Sequence, residues 1–231
     1  MKSSKYPKRK LKHIALIMDG NGRWAKKNHF AKKKGHEAGV TNCIKICNNL
    51  SKLDCQIKEL SFYVFSTENW KRNPSEINNL FNLIEIFYKN FQKVANDNNL
   101  IIRHCGSRKK ISKKLLNIID EVTEKTKSNT GTFVNLMFNY GSRQEIQDAM
   151  IKMQDAKNHK KKLNDFFYIT ESNDPDLIIR TGGEKRLSNF MLWQGAYSEL
   201  YFTNTLWPDF KYSNFNRAIQ NYFKRNRKYG K

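Results

Sequence analysis

The side chains best suited to chemistry follow a short apolar run, residues 13–18, near the start of the sequence. The run ends at a lone Asp19, and the turn Gly20-Asn21-Gly22 leads into a basic segment with Arg23 and Trp24. Glycines let a backbone approach an anion, helix N-termini attract negative charge, and a carboxylate can hold Mg²⁺ against phosphate oxygens. The pattern indicates a metal and phosphate site. A turn in which Asp19 only caps a helix is the alternative.

A second group of polar side chains follows the apolar run 59–65. Hydroxyl, carboxylate, amide, indole and guanidinium groups crowd into consecutive positions, namely Ser66, Thr67, Glu68, Asn69, Trp70, Lys71 and Arg72. The alternative is a plain turn in which Trp70 fills a hydrophobic gap. Because a plain turn needs few of these groups, the composition favours a loop that contacts a ligand.

A third group begins at Arg180, which an apolar run delivers to the Gly182-Gly183 turn. The segment goes on to supply a second guanidinium and a hydroxyl, in the order Arg186, Leu187 and Ser188. Guanidinium forks, hydroxyls and turn N–H groups all bind phosphate oxygens. We interpret the segment as a diphosphate cradle. Surface arginines beside a tight turn are the alternative.

The elements that must position these groups alternate along the chain. Apolar runs of strand length occur at 13–18, 59–65, 100–105, 132–139, 176–180 and 199–203. Helical patterns lie near 36–53, 74–97, 111–128, 142–168 and 212–226. The alternation predicts an α/β fold with a central, mostly parallel, six-stranded sheet flanked by helices. Ligands gather at the carboxyl ends of the strands in such sheets, where all three polar groups fall.

One predicted helix carries an unusually broad apolar face. Asn73, Pro74 and Glu76 are typical of a helix start. Apolar side chains then recur at helical spacing, at Ile77, Leu80, Phe81, Ile84, Phe87, Tyr88 and Phe91. Packing in the core explains such a face by itself. Beside phosphate sites the face also suits the wall of a hydrophobic cleft, and both interpretations stay open here.

The composition indicates a single basic domain. The 231 residues carry a formal net charge of +22, which favours anionic partners such as phosphorylated molecules, an acidic membrane surface or nucleic acid. Residues 1–12 are expected to form a basic, disordered tail before a single domain at 13–231. No apolar run approaches bilayer length, so we expect a cytoplasmic protein. The spacing of Cys43, Cys47, Cys55 and Cys105 indicates reduced thiols and no zinc site.

The three polar groups, in this order, resemble the motifs of the cis-prenyltransferases, and of the bacterial undecaprenyl diphosphate synthases in particular. The resemblance rests on the residues at 13–27, 65–70, 135–143 and 176–210. It implies a homodimer with a long hydrophobic tunnel. The implied reaction is the repeated condensation of isopentenyl diphosphate onto an allylic diphosphate such as farnesyl diphosphate. The product would be a long-chain cis-polyprenyl diphosphate such as undecaprenyl diphosphate, a lipid carrier precursor for cell-wall glycan synthesis.

The resemblance also implies a role for individual residues. Asp19 and Glu199 would bind Mg²⁺, and Asp19, His36 and Asn69 would take part in catalysis. The allylic diphosphate would contact Gly20, Asn21, Gly22, Arg23, Trp24, Lys32 and His36. Isopentenyl diphosphate would contact Arg180, Arg186, Leu187 and Ser188, and the loop over both substrates would supply Ser66, Thr67, Glu68, Trp70 and Arg72. Since a neutral amide is a poor base, we expect Asn69 and His36 to orient groups while the departing diphosphate accepts the proton.

Four residues depart from the pattern of the family. Lys32 stands where an arginine usually precedes the Gly-His pair, so a point charge replaces a bidentate fork. Ser142 replaces a glycine, and Lys185 replaces a histidine near the metal and takes away a candidate ligand. Lys228 occupies an arginine position near the end of the sequence, where we expect an altered phosphate contact.

Three other protein classes share part of this pattern. Trans-prenyl synthases bind Mg²⁺ through DDxxD motifs, but the sequence contains no adjacent aspartates. A basic α/β nucleic-acid-binding protein would explain the charge, but it leaves Asp19, Glu68 and Glu199 without a role. A non-catalytic subunit of a prenyltransferase heterodimer tends to lose the metal aspartate, which is present here. We therefore expect no nucleic-acid partner, and we expect peripheral contact with an anionic membrane surface.

Overall fold

The computed structural model describes residues 10–53, 55–156 and 161–225, and its strands form one six-stranded sheet. The strands are β1 (His13–Ile17), β2 (Glu59–Ser66), β3 (Ile101–Cys105), β4 (Phe133–Tyr140), β5 (Leu177–Arg180) and β6 (Glu199–Phe202). They lie in the order β3-β4-β2-β1-β5-β6, and every neighbouring pair is parallel. The central strands are buried on both faces, which explains why they appear in the sequence as continuous apolar runs. The predicted α/β class and sheet are confirmed.

Six helices connect and flank the strands. They are α1 (Asn21–Lys27), α2 (Lys32–Cys47), α3 (Pro74–Asp97), α4 (Lys113–Thr126), α5 (Ser142–Asp155) and α6 (Tyr212–Lys224). Asn73 caps α3 through a hydrogen bond from Ser75 N, as the sequence predicts. Within the described ranges, none of the helices combines the length and the hydrophobicity needed to cross a bilayer.

Two helices end earlier than predicted. α2 starts at Lys32 and ends at Cys47. Just beyond its end, Asn49 Nδ2 donates to Lys45 O at 2.6 Å, and this side-chain hydrogen bond competes with the backbone bond that would continue the helix. A short 3₁₀ turn follows at Leu50–Lys52. α5 ends at Asp155 and does not extend to residue 168, because the returning chain packs against it and Tyr168 N donates to Glu145 Oε1.

The predicted disordered tail, residues 1–12, includes residues that pack into the domain. Leu11 is buried in the core, and Lys12 O accepts hydrogen bonds from Lys58 N and Glu59 N. The residues next to β1 are therefore part of the folded domain. Residues 1–9 and the basic end that contains Lys228 lie outside the described residues.

The core occupies both faces of the sheet. On the larger side, α3 contributes Ile77, Ile84, Phe87, Tyr88 and Phe91, all of them buried. Most of the apolar face of α3 thus serves core packing, while Leu80 and Phe81 of the same face are only partly buried. All four cysteines are free thiols, as predicted.

Candidate active site

A cleft of about 790 Å³ opens at the carboxyl edge of the sheet. It collects most of the residues that the sequence singled out from three distant segments. Those that line it are Asp19, Gly20, Asn21, Gly22, Arg23, Lys32, His36, Ser66, Glu68, Asn69, Arg72, Arg180, Arg186 and Ser188. The parallel sheet brings them together because β1, β2 and β5 are adjacent and end at the same edge.

Asp19 lies at the centre of the charged part of the cleft. Because Ile17 pairs with Arg180 in the sheet, Asp19 and Arg180 leave neighbouring strands side by side. Asp19 Oδ2 accepts a hydrogen bond from Arg180 Nη2 at 2.9 Å, and Asp19 Oδ1 accepts one from Arg23 Nη2 at 3.0 Å. One carboxylate therefore holds two guanidinium groups apart and oriented.

The backbone around Asp19 is fixed by close contacts. Thr181 Oγ1 and Trp207 N both donate to Asp19 O, at 2.7 and 3.0 Å. Gly20 has a φ of 116°, and a Cβ at that position would lie within 3.1 Å of Leu206. The turn after β1 therefore requires glycine for both its conformation and its packing.

Arg180 connects Asp19 to the third polar segment. Its Nη1 donates to Arg186 O at 2.5 Å and to Ser188 Oγ at 2.8 Å, and only 5% of its side chain is exposed. Its Nε is buried and has no hydrogen-bond partner among the described residues. The guanidinium of Arg186 itself lies at the surface, paired with Glu184. Arg180 is thus held by several partners, whereas the more exposed Arg186 is paired with Glu184 two residues away.

A second cluster of charges lies where α2 meets α3. Glu76 accepts hydrogen bonds from Lys32 Nζ and from Arg72 Nη1, both at 2.8 Å. The hydrogen bond from Lys32 and the charges of Lys32 and Arg72 lower the pKa of Glu76. Glu76 therefore neutralises two of the cations that were predicted to contact substrate.

His36 lies behind this cluster. Burial, together with the positive charges of Arg72 and Lys32, lowers the pKa of His36, so the neutral imidazole is favoured near pH 7. Its Nε2 is buried without a hydrogen-bond partner among the described residues. A neutral imidazole with a free ring nitrogen can orient a ligand group but adds no positive charge.

The loop after β2 is tied down at several points. Asn69 Oδ1 accepts a hydrogen bond from Ser66 N at 3.1 Å, so the amide is engaged in capping a short 3₁₀ turn. Glu68 Oε1 accepts a hydrogen bond from Asn189 Nδ2 at 2.7 Å. Burial alone would raise the pKa of Glu68, but the hydrogen bonds from Asn189 and from the loop outweigh it and lower that pKa. The loop presents an ionised carboxylate to the cleft.

Trp70 takes the structural role that the sequence left open. Its ring packs against Phe65 and Phe81, with centroids 5.5 and 5.3 Å away, and its Nε1 donates to Asn139 Oδ1 at 2.7 Å. Trp70 does not line the cleft, and neither do Trp24, Thr67 and Leu187, four residues for which we predicted substrate contact. In the structure, Trp70 anchors the loop to the sheet.

The structure does not bring Glu199 to Asp19. Glu199 is the first residue of β6 and pairs with Leu177, at the amino end of the sheet, whereas Asp19 follows the carboxyl end of β1. The four-residue strands separate the two levels by roughly 10 Å. Glu199 Oε2 instead accepts a hydrogen bond from Arg225 at 2.8 Å. A metal site shared by Asp19 and Glu199 within one chain is therefore not formed here.

Several cleft residues escaped prediction. Tyr63, Val64 and Asn189 also line the cleft. Val64 faces it because a bulge between Tyr63 and Phe65 shifts the register of β2 against β4. Nothing in the alternation of residue types marks that bulge. Asn189 could have been predicted from the sequence, because it directly follows Ser188. In the structure both residues have positive φ angles.

The donor set around Asp19 fits Mg²⁺ in one respect only. Mg²⁺ is commonly held by one or two carboxylates together with substrate phosphates and water. Asp19 supplies one carboxylate that is partly open to the cleft, and guanidinium groups beside it suit phosphates. Across the described part of the chain, no group of three or more His, Cys, Asp or Glu residues is arranged to hold a metal. Such a site would need the phosphates of a substrate to complete it.

Several known proteins resemble this chain in sequence and in fold. The model of a family described as putative undecaprenyl diphosphate synthase matches residues 17–230. An isoprenyl transferase of Treponema denticola is 44% identical, with 95% of this chain and 97% of that protein aligned. A crystal structure of a probable undecaprenyl diphosphate synthase from Campylobacter jejuni aligns with a TM-score of 0.79 and 33% identity, over 96% of this chain and 100% of that one.

A second solved structure shares the fold at lower identity. It is lavandulyl diphosphate synthase from Lavandula x intermedia in complex with dimethylallyl diphosphate, with a TM-score of 0.89 and 28% identity. The alignment covers 95% of this chain and 98% of that one. The same fold therefore also occurs in a protein named lavandulyl diphosphate synthase.

Proposed function

Because this chain belongs to the undecaprenyl diphosphate synthase family and is a prenyl transferase, we propose that it makes long-chain cis-polyprenyl diphosphates. It would add isopentenyl diphosphate repeatedly to an allylic diphosphate, for which farnesyl diphosphate is the expected primer. Undecaprenyl diphosphate is the expected product, as a precursor of the lipid carrier in cell-wall glycan synthesis.

The observation that carries the proposal is the charge distribution of the cleft. Five cationic side chains line it, Arg23, Lys32, Arg72, Arg180 and Arg186, against the two carboxylates Asp19 and Glu68. The cations form two groups, one around Asp19 and Arg180 and one around Lys32 and Arg72. Two groups suit two diphosphates, as the condensation of two prenyl diphosphates requires.

The hydrophobic side of the cleft supports a prenyl chain as ligand. Ile17, Met18, Val64 and Leu80 line the wall next to the charged groups. Leu80 belongs to the broad apolar face of α3, which is otherwise buried in the core. A tunnel for the growing chain is part of the proposal, and it would begin at this wall.

In the proposed reaction, the chain's own residues bind, orient and neutralise. Arg23, Lys32 and Arg72 would bind the allylic diphosphate, and Arg180, Arg186 and Ser188 would bind isopentenyl diphosphate. Asp19 would hold Mg²⁺ together with phosphate oxygens, and the bound ion would neutralise charge on the leaving diphosphate. Phosphates entering the cleft would replace Asp19 as partner of Arg23 and Glu76 as partner of Lys32.

The residues near the reacting carbons suit orientation better than proton removal. The oxygen of the Asn69 side chain already accepts a hydrogen bond from Ser66 N, and its amide is not basic. His36 has a lowered pKa and one free ring nitrogen. We therefore propose that His36 and Asn69 orient the substrates and that the released diphosphate accepts the proton.

A homodimer in the cytoplasm, at the inner face of the membrane, completes the proposal. Large apolar side chains are exposed on α5, at Met150, Ile151 and Met153, and between β5 and β6, at Leu192 and Trp193. Exposed apolar side chains of this size are typical of a subunit interface. Sedimentation equilibrium would test it, and a protein that stays monomeric at micromolar concentration would contradict it.

The product assay tests the reaction. Purified protein would be incubated with Mg²⁺, farnesyl diphosphate and labelled isopentenyl diphosphate, and the dephosphorylated products would be separated by chromatography. We expect a ladder of products that ends at one long chain. A product that stops after a single addition of isopentenyl diphosphate would contradict the long chain. No incorporation with any allylic primer would refute the proposal.

A further inference from the structure

The connection between α1 and α2, together with the last two residues of α1 and the first three of α2, forms a basic segment with an aromatic side chain at its middle. We call residues 26–34 the basic-aromatic loop. It contains five lysines and Phe30, and every residue in it is exposed. With no carboxylate of its own, the loop is one of the most positively charged short segments of the described surface.

The backbone of the loop is ordered by hydrogen bonds to α1. Asn28 N donates to Trp24 O at 3.1 Å, and Phe30 N donates to Ala25 O at 2.8 Å. Between them, His29 adopts a left-handed conformation with a φ of 58°. The ring of Phe30 rests beside that of Trp24 with a centroid distance of 5.9 Å, yet 53% of Phe30 is exposed. The fold therefore holds an aromatic ring out into solvent.

Three lysines of the loop have no carboxylate partner. Lys32 pairs with Glu76, and Lys34 pairs with Glu37 at 2.9 Å. Among the residues that the structure describes, no carboxylate oxygen lies within 4.0 Å of the ammonium groups of Lys26, Lys27 or Lys33. Phe30 is thus flanked on both sides by uncompensated positive charge.

The loop lies at the rim of the cleft. Lys32 belongs to both the loop and the cleft lining. Gly22 also lines the cleft, and a Cβ atom placed on it would lie 3.6 Å from the Cε atom of Lys32. A surface that binds there would face the mouth of the charged site. This placement matters because the proposed product is a lipid whose hydrocarbon chain belongs in a bilayer.

We infer that the basic-aromatic loop docks the enzyme on an anionic lipid surface, with Phe30 entering the headgroup region. Lysines near an anionic leaflet gain attraction from its surface potential, and an aromatic ring between them adds buried apolar area. Charge and apolar exposure are complementary to such a surface. The reason for docking rests on the proposed function, but the binding itself needs no turnover.

Vesicle flotation tests the inference on the full-length chain. Vesicles would contain phosphatidylcholine either alone or mixed with phosphatidylglycerol, without substrate. We expect the protein to float with the mixed vesicles and to remain below those of phosphatidylcholine alone. Phe30→Ser should weaken binding roughly fivefold. The combined change Lys26→Gln, Lys27→Gln and Lys33→Gln should weaken it about 100-fold.

Matched control variants remove an exposed apolar side chain or three exposed lysines outside the basic-aromatic loop. Ile86→Ser removes an apolar side chain of α3 that is 56% exposed. The combined change Lys45→Gln, Lys52→Gln and Lys58→Gln removes three exposed lysines from the end of α2 and the connection to β2. We expect both controls to keep most of the binding. Thermal unfolding followed by circular dichroism checks that each variant is folded.

The outcomes separate the inference from the proposed function. An inactive protein that floats in the expected manner would refute the proposed function alone, and an active protein that does not float would refute the docking alone. Equal losses in the loop variants and their controls would also overturn the inference. So would binding of a single-stranded oligonucleotide through the loop without any binding to the mixed vesicles.

Discussion

Replacing Asp19 tests the centre of the cleft most directly. Asp19→Ala removes the acceptor of hydrogen bonds from Arg23 and from Arg180. Breaking a fully buried ion pair costs about 3–5 kcal/mol in folding free energy. The side chain of Asp19 is 28% exposed, and Arg180 keeps its bonds to Arg186 O and Ser188 Oγ. We therefore expect a smaller loss of about 2 kcal/mol, which leaves a folded protein.

The expected loss of activity is much larger than the loss of stability. Removing one preorganised group that stabilises charge in a transition state commonly lowers kcat by about 100- to 1,000-fold. Asp19 is proposed to hold Mg²⁺ and also positions Arg23 and Arg180. We expect kcat/KM to fall by at least about 1,000-fold, which corresponds to roughly 4 kcal/mol.

Two further variants separate the effects. Asp19→Asn keeps an acceptor oxygen but removes the charge, so it should retain more stability than Asp19→Ala and equally little activity. Asp209→Ala is the matched control, because Asp209 accepts a hydrogen bond from Trp24 Nε1 at 2.9 Å but does not line the cleft. It should lose about 1 kcal/mol of stability and keep activity within a few-fold of the original.

The assay measures initial rates of labelled isopentenyl diphosphate incorporation at several Mg²⁺ concentrations, with urea unfolding of each variant. Activity of folded Asp19→Ala within tenfold of the original would refute the role of Asp19. A loss of activity as large in Asp209→Ala would show that the effect does not belong to the charged cleft.

Three other predictions concern the surroundings of the cleft. Lys32→Arg should lower the KM for the allylic diphosphate a few-fold, because a guanidinium can bind both Glu76 and a phosphate in bidentate fashion. An unchanged KM in steady-state assays would show that Lys32 does not contact this substrate. Gly35→Ala should destabilise the protein by about 2 kcal/mol in urea unfolding, because its Cβ would lie 2.1 Å from Asn21 O, and an unchanged stability would contradict that contact. Burial lowers the pKa of His104 to about 4, so the unfolded state binds more protons below pH 6.5 and stability falls as the pH falls. Between pH 7 and pH 5 His104 should contribute a loss of ~2 kcal/mol, which His104→Gln should abolish; a variant with the same pH dependence would refute this.

The architecture was predictable because each strand is a short run of apolar residues with polar groups at its carboxyl end. β1, β2 and β5 begin and end within a residue or two of the predicted limits. That their polar ends lie at one edge of the sheet followed from the rule that ligands gather at the carboxyl ends of parallel strands. Asp19, Ser66 and Arg180 therefore converge as expected.

The parts that escaped prediction depend on packing and register. The bulge beside Val64 and the left-handed Asn139 arise from how β2 and β4 fit together, and neither has a sequence pattern of its own. The position of Glu199 escaped for a related reason. The resemblance to the family implied a metal ligand there, whereas its register with Leu177 places Glu199 at the other end of the sheet.

The sharing of Asp19 between Arg23 and Arg180 has an evolutionary consequence. Loss of the carboxylate alone would leave two guanidinium groups facing each other across the turn after β1. A descendant protein that abandons catalysis would gain from losing the arginines as well. We expect the three charges to disappear together in inactive relatives, so a relative that has lost Asp19 should also lack Arg23 and Arg180.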